Sequence, residues 1–503
     1  MALSGLAGTV VDVEAHIAAG LPAMAVSGLP DKACGQAPDR IRSAASASGT
    51  TVPARRIVVN LSPASIPKQG SMFDLSIAVA VLAAAGDIRS GLVADIVHIG
   101  ELGLDGSIRS VRGVLPCVMA AARAGVTAVV VPVDNVAEAR LVSGVRVSAA
   151  RTLGELLLWY AAHRDTGAPL PLAPAPSATA EPVRRAVDLA DVVGQPEARL
   201  AVEMAASGGH HMLLSGPPGV GKTMLAERLV TVLPPLSRAL ALESHAIRSL
   251  AGVRVAGDLD CTPPYESPHH SASVAAIVGG GSGQVLPGAI SRAHGGVLFL
   301  DEAAEFKTSV LQTLRQPLES GVVTVARARE SVTFPARFLL VLAANPCPCG
   351  KAWGKGAHCT CSALDLRRYH NKMSGPLMDR IDIRVTVPPV PRGAFGDQRG
   401  ESSATVAGRV LTARAAQAER WRSLRVGLNG QVPGHVLRRA PYRLPSTVTG
   451  VLDRALDEGN LSLRGYDRVL RLAWTAADMA GRSVPSRQDV GLALGLRAGE
   501  MAA

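Results

Sequence analysis

A glycine-rich segment that ends in lysine and threonine could bind the phosphates of a nucleotide. Eight consecutive residues fit the pattern Gly-x4-Gly-Lys-Ser/Thr without a mismatch: Gly216, Pro217, Pro218, Gly219, Val220, Gly221, Lys222 and Thr223. In this pattern the glycines let backbone N–H groups surround phosphate oxygens. Lys222 should reach the β- and γ-phosphates, and the Thr223 hydroxyl should bind Mg²⁺. The segment therefore predicts a site for a nucleoside triphosphate with Mg²⁺.

An acidic pair that follows an apolar run could complete this site. The segment Val297–Leu300 is typical of a buried strand, and Asp301 and Glu302 follow it directly. A carboxylate at the end of such a strand can hold Mg²⁺, directly or through water, which is the role we predict for Asp301. Glu302 would orient and deprotonate the attacking water. The plainer interpretation is an ordinary acidic helix start, which the phosphate-binding pattern makes the weaker of the two.

Two further polar residues could act on the transferred phosphate. Asn345 ends the apolar run 338–344 and could position water near the γ-phosphate, although asparagine at a strand end is also a common turn former. Arg380 is a candidate arginine finger, which would stabilise the charge that develops in the site of a neighbouring subunit. The alternative for Arg380 is a surface ion pair with Asp379 or Asp382.

Four clustered cysteines form a candidate metal site. Cys347 and Cys349 make one pair, Cys359 and Cys361 make a second, and nine residues separate the pairs. In a reducing compartment such a cluster favours a metal over disulfides, and tetrahedral Zn²⁺ takes four thiolates. The pair spacing is C-x-C rather than the usual C-x₂₋₄-C, so free thiols in a glycine-rich loop remain the alternative.

The elements that must position these residues alternate between strand and helix. The run 211–215 predicts a strand before the phosphate loop, and 224–229 predicts a helix after it. With the strands that precede Asp301 and Asn345, this pattern predicts a parallel α/β sheet. From residue 391 onward the pattern is helical, with helices expected at 403–424, 446–458, 464–480 and 486–494.

A proline- and alanine-rich stretch divides the chain. Residues 166–182 carry no core-forming pattern and predict a linker. The segments around it predict an α/β N-terminal domain (1–165), an α/β nucleotide-binding core (183–390) and a helical C-terminal domain (391–503). No apolar run approaches the length that spans a bilayer, and acidic residues interrupt the first segment, so we expect a soluble, cytoplasmic protein without membrane partners.

The charge of the chain is uneven. It carries 52 basic and 41 acidic residues, a formal net charge of +11. Residues 390–503 hold 17 basic and 10 acidic side chains, so the excess is concentrated in the C-terminal domain. A basic domain is typical of proteins that bind polyanions. The excess is almost entirely arginine, which base composition alone could also produce.

Several motifs in a fixed order carry a resemblance to a known family. They are GPPGVGKT (216–223), VLFLDE (297–302), AANPCPCG (343–350), SGPLMDRIDI (374–383) and LSLRGYDRVLRLAWTAADMAG (461–481). Together they resemble the magnesium-chelatase-like AAA+ ATPases, and most closely the YifB/ComM group, over nearly the whole chain. The resemblance implies ATP as the nucleotide, a Walker B role for Asp301 and Glu302, and a sensor 1 role for Asn345.

The same resemblance implies roles for other segments. Arg380 would be the arginine finger and Arg464 a sensor 2 residue on a helical lid, while Val193 and Gly194 would lie beside the adenine. The family also carries an insertion, here near 267–290, and a hairpin, here near 321–335. In related rings such hairpins face a central channel, so the two arginines at its tip are candidate DNA contacts. They are Arg327 and Arg329.

The N-terminal domain resembles the Lon-type proteolytic fold. A Lon-type enzyme needs a serine nucleophile and a lysine that deprotonates it. Aligned through the segment 67–72 and the segment 111–125, these positions fall on Met72 and Leu115, which cannot do this chemistry. No lysine lies between Lys68 and Lys222. We therefore expect a proteolytically inactive scaffold.

The family resemblance implies an ATP-driven motor that acts on DNA without sequence preference, as a hexameric helicase that promotes branch migration during recombination or natural transformation. Phosphate contacts by arginine would make its DNA binding sensitive to salt. The alternative is an ATPase that remodels a protein, as the chelatase motors do. A protease is a further alternative, against which the missing Ser–Lys pair argues.

Overall fold

The computed structural model describes residues 1–162, 171, 187–253, 255, 257–281, 284–327, 331–353, 358–373, 375–390 and 400–499. Apart from residue 171, the predicted linker 166–182 lies outside the described residues. None of the described helices is long and apolar enough to cross a membrane.

The N-terminal domain contains ten strands and six helices within residues 1–162. The strands are β1 (Ala2–Ser4), β2 (Ala7–Thr9), β3 (Asp12–Ala18), β4 (Ala23–Ser27), β5 (Arg56–Ser62), β6 (Ile96–His98), β7 (Glu101–Leu102), β8 (Ile108–Arg109), β9 (Ala128–Pro132) and β10 (Arg146–Ala150). The helices are α1 (Lys32–Gly35), α2 (Ala37–Ala47), α3 (Asp74–Ala85), α4 (Val114–Arg123), α5 (Val136–Ala139) and α6 (Leu153–Ala162).

Two three-stranded sheets organise this domain. One has the order β3-β5-β4, with β3 antiparallel and β4 parallel to the middle strand, and the other is a parallel sheet of order β10-β9-β6. Helix α3 is apolar on nearly all sides and lies in the core between them, where Leu75, Ile77 and Leu82 are fully buried. It ends at Gly86, whose φ of +92° is left-handed and favours glycine. Residues 1–162 are therefore mixed α/β in structure.

The core contains nine strands and eight helices among the described residues. The strands are β11 (Met212–Ser215), β12 (Tyr265–Glu266), β13 (Gly279–Gly280), β14 (Leu286–Pro287), β15 (Val297–Leu300), β16 (Val322–Ala326), β17 (Ser331–Pro335), β18 (Leu339–Ala344) and β19 (Ile383–Thr386). The helices are α7 (Pro196–Gly208), α8 (Lys222–Val232), α9 (Arg238–Leu250), α10 (Val274–Val278), α11 (Ala289–Arg292), α12 (Thr308–Thr313), α13 (Arg315–Ser320) and α14 (Ala363–Lys372).

Five of these strands form the central sheet. Its order is β12-β15-β18-β11-β19, and every neighbouring pair is parallel. Strands β15 and β18 are buried at every residue, as strands covered on both faces must be. Because the strands are parallel, the residues that follow β11, β15 and β18 all lie at one edge of the sheet.

The C-terminal domain is helical, as predicted. Its helices are α15 (Ser403–Arg420), α16 (Gly434–Leu437), α17 (Ser446–Asp457), α18 (Leu463–Met479) and α19 (Arg487–Ala498). Helix α15 ends four residues earlier than expected, because the chain tightens into a 3-10 turn at Arg422–Leu424. Helix α19 continues four residues farther, until Gly499 adopts a left-handed φ of +82° and ends it.

The N-terminal domain packs on the core through helices α4 and α9. Leu115 of α4 is fully buried against Ala246 of α9, and the Gly113 N–H donates to the Ser249 carbonyl at 3.2 Å. The β1–β2 hairpin also approaches β17, where a Cβ on Gly5 would lie 2.8 Å from the Thr333 carbonyl oxygen. Two separate contacts therefore join the two domains.

Candidate functional site

The predicted phosphate loop lies between strand β11 and helix α8, at the carboxyl edge of the central sheet. Gly219 and Gly221 have φ values of +79° and +92°, in the region that favours glycine. A Cβ on Gly216 would lie 2.4 Å from the Val387 carbonyl oxygen, so this position has no room for a side chain. The backbone therefore requires the glycines of the pattern, and its N–H groups begin a helix.

Lys222 is held at the centre of the loop. Its ammonium donates to the carbonyl oxygens of Gly216 at 2.7 Å and Pro217 at 2.9 Å. It also donates to the Asn345 side-chain oxygen at 3.0 Å, which joins the phosphate loop to the end of β18. Burial lowers the pKa of Lys222, and the nearby Asp301 and Glu302 carboxylates oppose that shift. The structure thus brings Lys222 and Asn345 together.

Thr223 and Asp301 form a second contact across the same edge. The Thr223 hydroxyl donates to the Asp301 carboxylate at 2.7 Å, and the other carboxylate oxygen accepts from the Glu302 backbone N–H at 2.9 Å. Two ligands at adjacent corners of an Mg²⁺ octahedron lie about 3 Å apart. The oxygens of Thr223 and Asp301 are therefore already spaced to bind one Mg²⁺ ion.

Glu302 occupies an unusual backbone position. Its φ of +50° is left-handed, which few residues other than glycine adopt and which often marks a functional site. Its side chain is half exposed, and its Oε2 lies 3.1 Å from Nδ1 of His270. No motif in the sequence assigns a role to His270, because it lies in a different loop from Glu302.

The residues at this edge fit a nucleoside triphosphate with Mg²⁺. The loop offers backbone N–H groups between its glycines. The Lys222 ammonium donates to three oxygens that a phosphate can replace. The side-chain oxygens of Thr223 and Asp301 have the spacing of two Mg²⁺ ligands. Glu302 adds a carboxylate beside them, close enough to act on the pKa of Lys222. The arrangement can bind a polyphosphate, neutralise its charge and accept a proton from water.

The segment expected beside the adenine lines a separate cavity. Val193 and Gly194 border a space of about 410 Å³ between helix α7 and the start of α15. The neighbouring Gln195 donates from its side chain to the Pro388 carbonyl at 2.6 Å. Because Pro388 directly follows Val387, whose carbonyl lies against Gly216, this bond ties the cavity to the phosphate loop.

Arg380 and Arg464 lie elsewhere, and they lie together. Both line a cleft of about 900 Å³ that also borders His211, Gly296 and Asp382. These three residues stand before β11, β15 and β19, so the cleft opens at the amino edge of the sheet. A four-residue strand spans about 13 Å, and this length separates the cleft from the phosphate loop of the same chain. The structure does not bring either arginine to that loop.

The cleft is strongly basic and contains a fixed ion-pair network. Arg380 contacts the Glu319 carboxylate and donates to the Pro376 carbonyl. Asp382 is buried, and burial alone would raise its pKa, but Arg468 and His210 hold the pKa well below its usual range. Arg464 is exposed on the first turn of α18. Further arginines of the cleft are Arg337, Arg414, Arg425 and Arg471.

The predicted hairpin is present as strands β16 and β17. Five residue pairs join them, from Val322 with Pro335 to Ala326 with Ser331. Arg327 follows β16 at the tip, where its Nη2 lies 3.6 Å from the position of a Cβ on Gly281 in the family's insertion. Arg329 lies outside the described residues. The hairpin tip and the insertion are therefore in contact.

The four cysteines converge on one point. The sulfurs of Cys347, Cys349, Cys359 and Cys361 all lie within 4.8 Å of one another. Three of the sulfur–sulfur distances are 3.3 to 3.7 Å. In a tetrahedral site with Zn–S bonds of about 2.3 Å, the sulfurs lie about 3.8 Å apart, which is close to these distances. Backbone N–H groups of Thr360 and Lys351 lower the pKa of Cys349 to about 5, which favours a thiolate. The cluster could hold a metal ion.

This cluster also touches the phosphate loop. A Cβ on Gly350, between the two cysteine pairs, would lie 2.9 Å from Cδ of Pro218. The cluster follows Asn345 by two residues and precedes helix α14, which leads to Arg380. The cluster thus lies on the chain segment between two candidate catalytic residues, Asn345 and Arg380.

The positions equivalent to a Lon-type catalytic pair carry no reactive groups. Leu115 is fully buried in α4, and Met72 is half-buried. The adjacent Ser71 donates its hydroxyl to the Glu101 carboxylate. Lys68 is fully buried and donates to the Pro63 carbonyl, so it does not pair with that serine.

Three family models match the chain, and together they cover most of it. The model described as "Magnesium chelatase, subunit ChlI" matches residues 188–395, which include the phosphate loop. "Subunit ChlI of Mg-chelatase" matches residues 13–135, and "Magnesium chelatase, subunit ChlI C-terminal" matches residues 400–497. A chelatase-family model thus matches part of each of the three predicted domains.

Individual relatives match over nearly the full length. A protein of Mycobacterium tuberculosis is 50% identical over 99% of this chain and 97% of its own length. YifB of Salmonella typhimurium is 40% identical, over 97% of this chain and 94% of its own. Competence protein ComM of Haemophilus influenzae is 39% identical, over 98% and 96%. A partial match, 32% identical over 26% of this chain, joins it to Lon protease 2 of Bacillus subtilis. The chain therefore belongs to the YifB/ComM family of magnesium-chelatase-like AAA+ ATPases.

Proposed function

We propose that this protein is an ATP-hydrolysing ring motor that acts on DNA, as a helicase that promotes branch migration in recombination or natural transformation. The observation that carries the proposal is the separation of its catalytic parts. The phosphate loop lies at one edge of the central sheet, and Arg380 and Arg464 line a basic cleft at the other. A site divided in this way is completed by a second copy of the chain.

Each residue then has a defined task in hydrolysis. Bound MgATP would supply the γ-phosphoryl group, whose transfer to water is the reaction. Lys222 holds the phosphate charge, and Thr223 and Asp301 hold Mg²⁺. Glu302 takes the proton from the attacking water, and Asn345 fixes the position of Lys222 and orients that water.

We infer the ring from the position of the cleft at the amino edge of the central sheet. An arginine at the amino edge of one sheet reaches the carboxyl edge of the next subunit only in a head-to-tail arrangement, which closes into a ring when the rotation allows it. Arg380 and Arg464 would both stabilise charge on the neighbour's phosphates. The hexamer itself rests on the family resemblance and on the need for an arginine supplied by a neighbouring subunit.

The DNA substrate is supported by charge and by the hairpin. The C-terminal region 390–503 carries 17 basic and 10 acidic residues, and Arg327 follows the first hairpin strand. Arginine contacts to phosphate are independent of sequence and release counterions, so DNA binding should weaken steeply as salt rises. We assign Arg327 and Arg329 to these contacts.

We further propose that the four cysteines hold Zn²⁺. Four thiolates in near-tetrahedral spacing suit Zn²⁺ better than Mg²⁺ or Ca²⁺, which prefer oxygen ligands. A zinc-held loop would press Gly350 against Pro218 and so support the phosphate loop. The N-terminal domain, in turn, would be a Lon-like scaffold without protease activity, because Leu115 and Met72 replace the reactive pair.

A chelatase-like remodelling ATPase is the second candidate. One observation favours it, since the models described as chelatase subunits match residues 13–135 as well as the core and the C-terminal region. The N-terminal domain therefore does not by itself distinguish a DNA motor from a chelatase-type motor.

The test is ATP hydrolysis by the purified protein, alone and with single-stranded, duplex and four-way-junction DNA. The DNA motor predicts turnover that rises with at least one DNA, falls with salt and disappears in the Glu302→Gln variant. Turnover that is lost in this variant but indifferent to every DNA would favour protein remodelling. Turnover that survives the substitution would refute the assignment of the active site.

A further inference from the structure

The two arginines of the basic cleft, Arg380 and Arg464, stand on separate elements. Arg380 ends the 3-10 turn Met378–Arg380 ahead of strand β19, and Arg464 lies on the first turn of α18 in the C-terminal domain. To act on one nucleotide together, the two side chains must keep a fixed separation, because a displacement of about 1 Å can cost about 10²-fold in rate. A contact that ties the turn to α18 is therefore needed.

An ion pair between Asp382 and Arg468 supplies such a contact. Asp382 follows Arg380 by two residues, and Arg468 lies one helical turn after Arg464 on the same face of α18. Nη1 of Arg468 contacts Oδ1 of Asp382, and the two side chains are only 15% and 2% exposed. Salt screens a buried pair much less than an exposed one. The pair therefore joins the segment of one cleft arginine to the helix of the other.

The second carboxylate oxygen of Asp382 is also held. It accepts from the His211 backbone N–H at 3.3 Å and lies 3.5 Å from Nδ1 of His210. His210 is fully buried, and its Nε2 lies 2.8 Å from the hydroxyl of Thr475, which is another residue of α18. Helix α18 thus reaches Asp382 directly through Arg468 and indirectly through His210.

The turn that carries Arg380 is fixed from a further side. Arg497 of helix α19 is buried and donates to the Ile381 carbonyl. Arg384 donates to the Met378 carbonyl at 3.3 Å. Side chains from both of the last two helices therefore hold the residues that directly follow Arg380.

We propose that Asp382, through its ion pair with Arg468, is a positioning residue that sets the separation of Arg380 and Arg464, so that both reach the nucleotide of the neighbouring subunit. The proposal rests on the proposed divided site and adds the group that aligns its two arginines. Asp382 stands before β19 at the amino edge of the sheet, whereas the phosphate loop of the same chain lies at the carboxyl edge. Loss of the pair should therefore impair the neighbour's site and spare the subunit's own phosphate loop.

The first measurement is ATP turnover of three variants. Asp382→Asn keeps the shape of the side chain and removes its charge, and its rings should hydrolyse ATP about 10²-fold more slowly than the wild type. Arg468→Gln removes the other charge and should give a similar loss. The double variant should be no slower than either single variant, because all three remove the same interaction. Losses that multiply in the double variant would overturn the proposal.

A matched control breaks a similar ion pair on the same helix. Asp478 of α18 pairs with Arg420, and these side chains are 0% and 14% exposed. Asp478 lies roughly 20 Å farther along the helix than Arg464. Asp478→Asn should lower the unfolding temperature at least as much as Asp382→Asn does and leave the rings active. Asp478→Asn rings as slow as those of Asp382→Asn would overturn the proposal, because lost stability would then explain both.

Mixed rings of Asp382→Asn with Glu302→Gln provide a readout that a structural defect would not move. A site is complete when the Asp382→Asn subunit supplies the phosphate loop and the Glu302→Gln subunit supplies the aligned arginines. At equal mixing about one quarter of the sites meet this condition, so we expect about 25% of the wild-type rate. Recovery with Arg380→Ala but not with Asp382→Asn would overturn this proposal alone. Failure of both mixtures to recover would overturn the divided site, and this proposal with it.

Discussion

Arg380 should act on the neighbour's nucleotide, which can be measured with mixed rings. Two single variants that carry different tags are coexpressed. Glu302→Gln lacks the general base, and Arg380→Ala lacks the arginine finger. Each ring made of one variant should hydrolyse ATP at a rate at least about 10³-fold below the wild type, the effect of a lost arginine finger. Both variants retain Lys222 and Thr223, so both can still bind ATP.

The mixed ring restores some sites if the arginine acts between subunits. A site is complete when an Arg380→Ala subunit supplies the phosphate loop and a Glu302→Gln subunit supplies the arginine. At equal mixing about one quarter of the sites meet this condition in a head-to-tail ring. We therefore expect about 25% of the wild-type rate per chain.

The measurement is steady-state ATP hydrolysis of heteromers purified through both tags. The matched control replaces Arg380→Ala by Arg422→Ala. Arg422 is exposed and pairs with Glu419 on the surface, so its loss should leave the rings active. Heteromers that stay as inactive as the single variants would refute the divided site, because an arginine that acts within its own chain gains nothing from mixing.

Three further predictions concern metal content and stability. Metal analysis should find about one zinc per chain, lost in Cys359→Ser; less than stoichiometric metal after purification without chelators would contradict the zinc assignment. Burial lowers the pKa of His98 to about 4, below its ordinary 6.5, so the folded protein binds this proton later than the unfolded chain. The contribution of neutral His98 to the free energy of unfolding is complete above pH 6.5, and it should fall by about 3 kcal/mol as the pH drops towards 4. The His98→Gln variant keeps a hydrogen-bond partner for Tyr160 but cannot bind this proton. In urea titrations its free energy of unfolding should therefore depend less on pH between 6.5 and 4. Arg409→Ala removes the partner of the buried Glu203 carboxylate and should lower the free energy of unfolding by about 2 kcal/mol. This cost is smaller than that of breaking a fully buried pair, because Arg409 is 39% exposed. An unchanged denaturation midpoint would contradict this prediction.

Features with local determinants could be predicted from the sequence. The phosphate loop depends on glycines and a lysine within eight residues, and the structure places it between a strand and a helix as expected. The helices of the C-terminal region also follow from short patterns, whereas the hairpin around Arg327 was expected from the family resemblance. Helix ends were off by up to four residues where a 3-10 turn or a later glycine decided the boundary.

Features that depend on packing could not be predicted. The contact of His270 with Glu302 joins residues from different loops, and no pattern of residue spacing predicts it. The helix that carries Arg464 was predicted, but the edge of the sheet that it faces depends on how α18 packs on α7. The C-x-C spacing is unusual for a zinc site, yet the structure brings the sulfurs of both cysteine pairs to one point.

The central claim is that ATP hydrolysis by this protein moves DNA, and a branch-migration assay tests it most directly. A labelled four-way junction with homologous arms is incubated with the protein and ATP, and the conversion to duplex products is followed. The account predicts products that require ATP, disappear with Glu302→Gln and decline as salt rises. ATP turnover at full rate without any conversion of junction, duplex fork or displaced strand would contradict it.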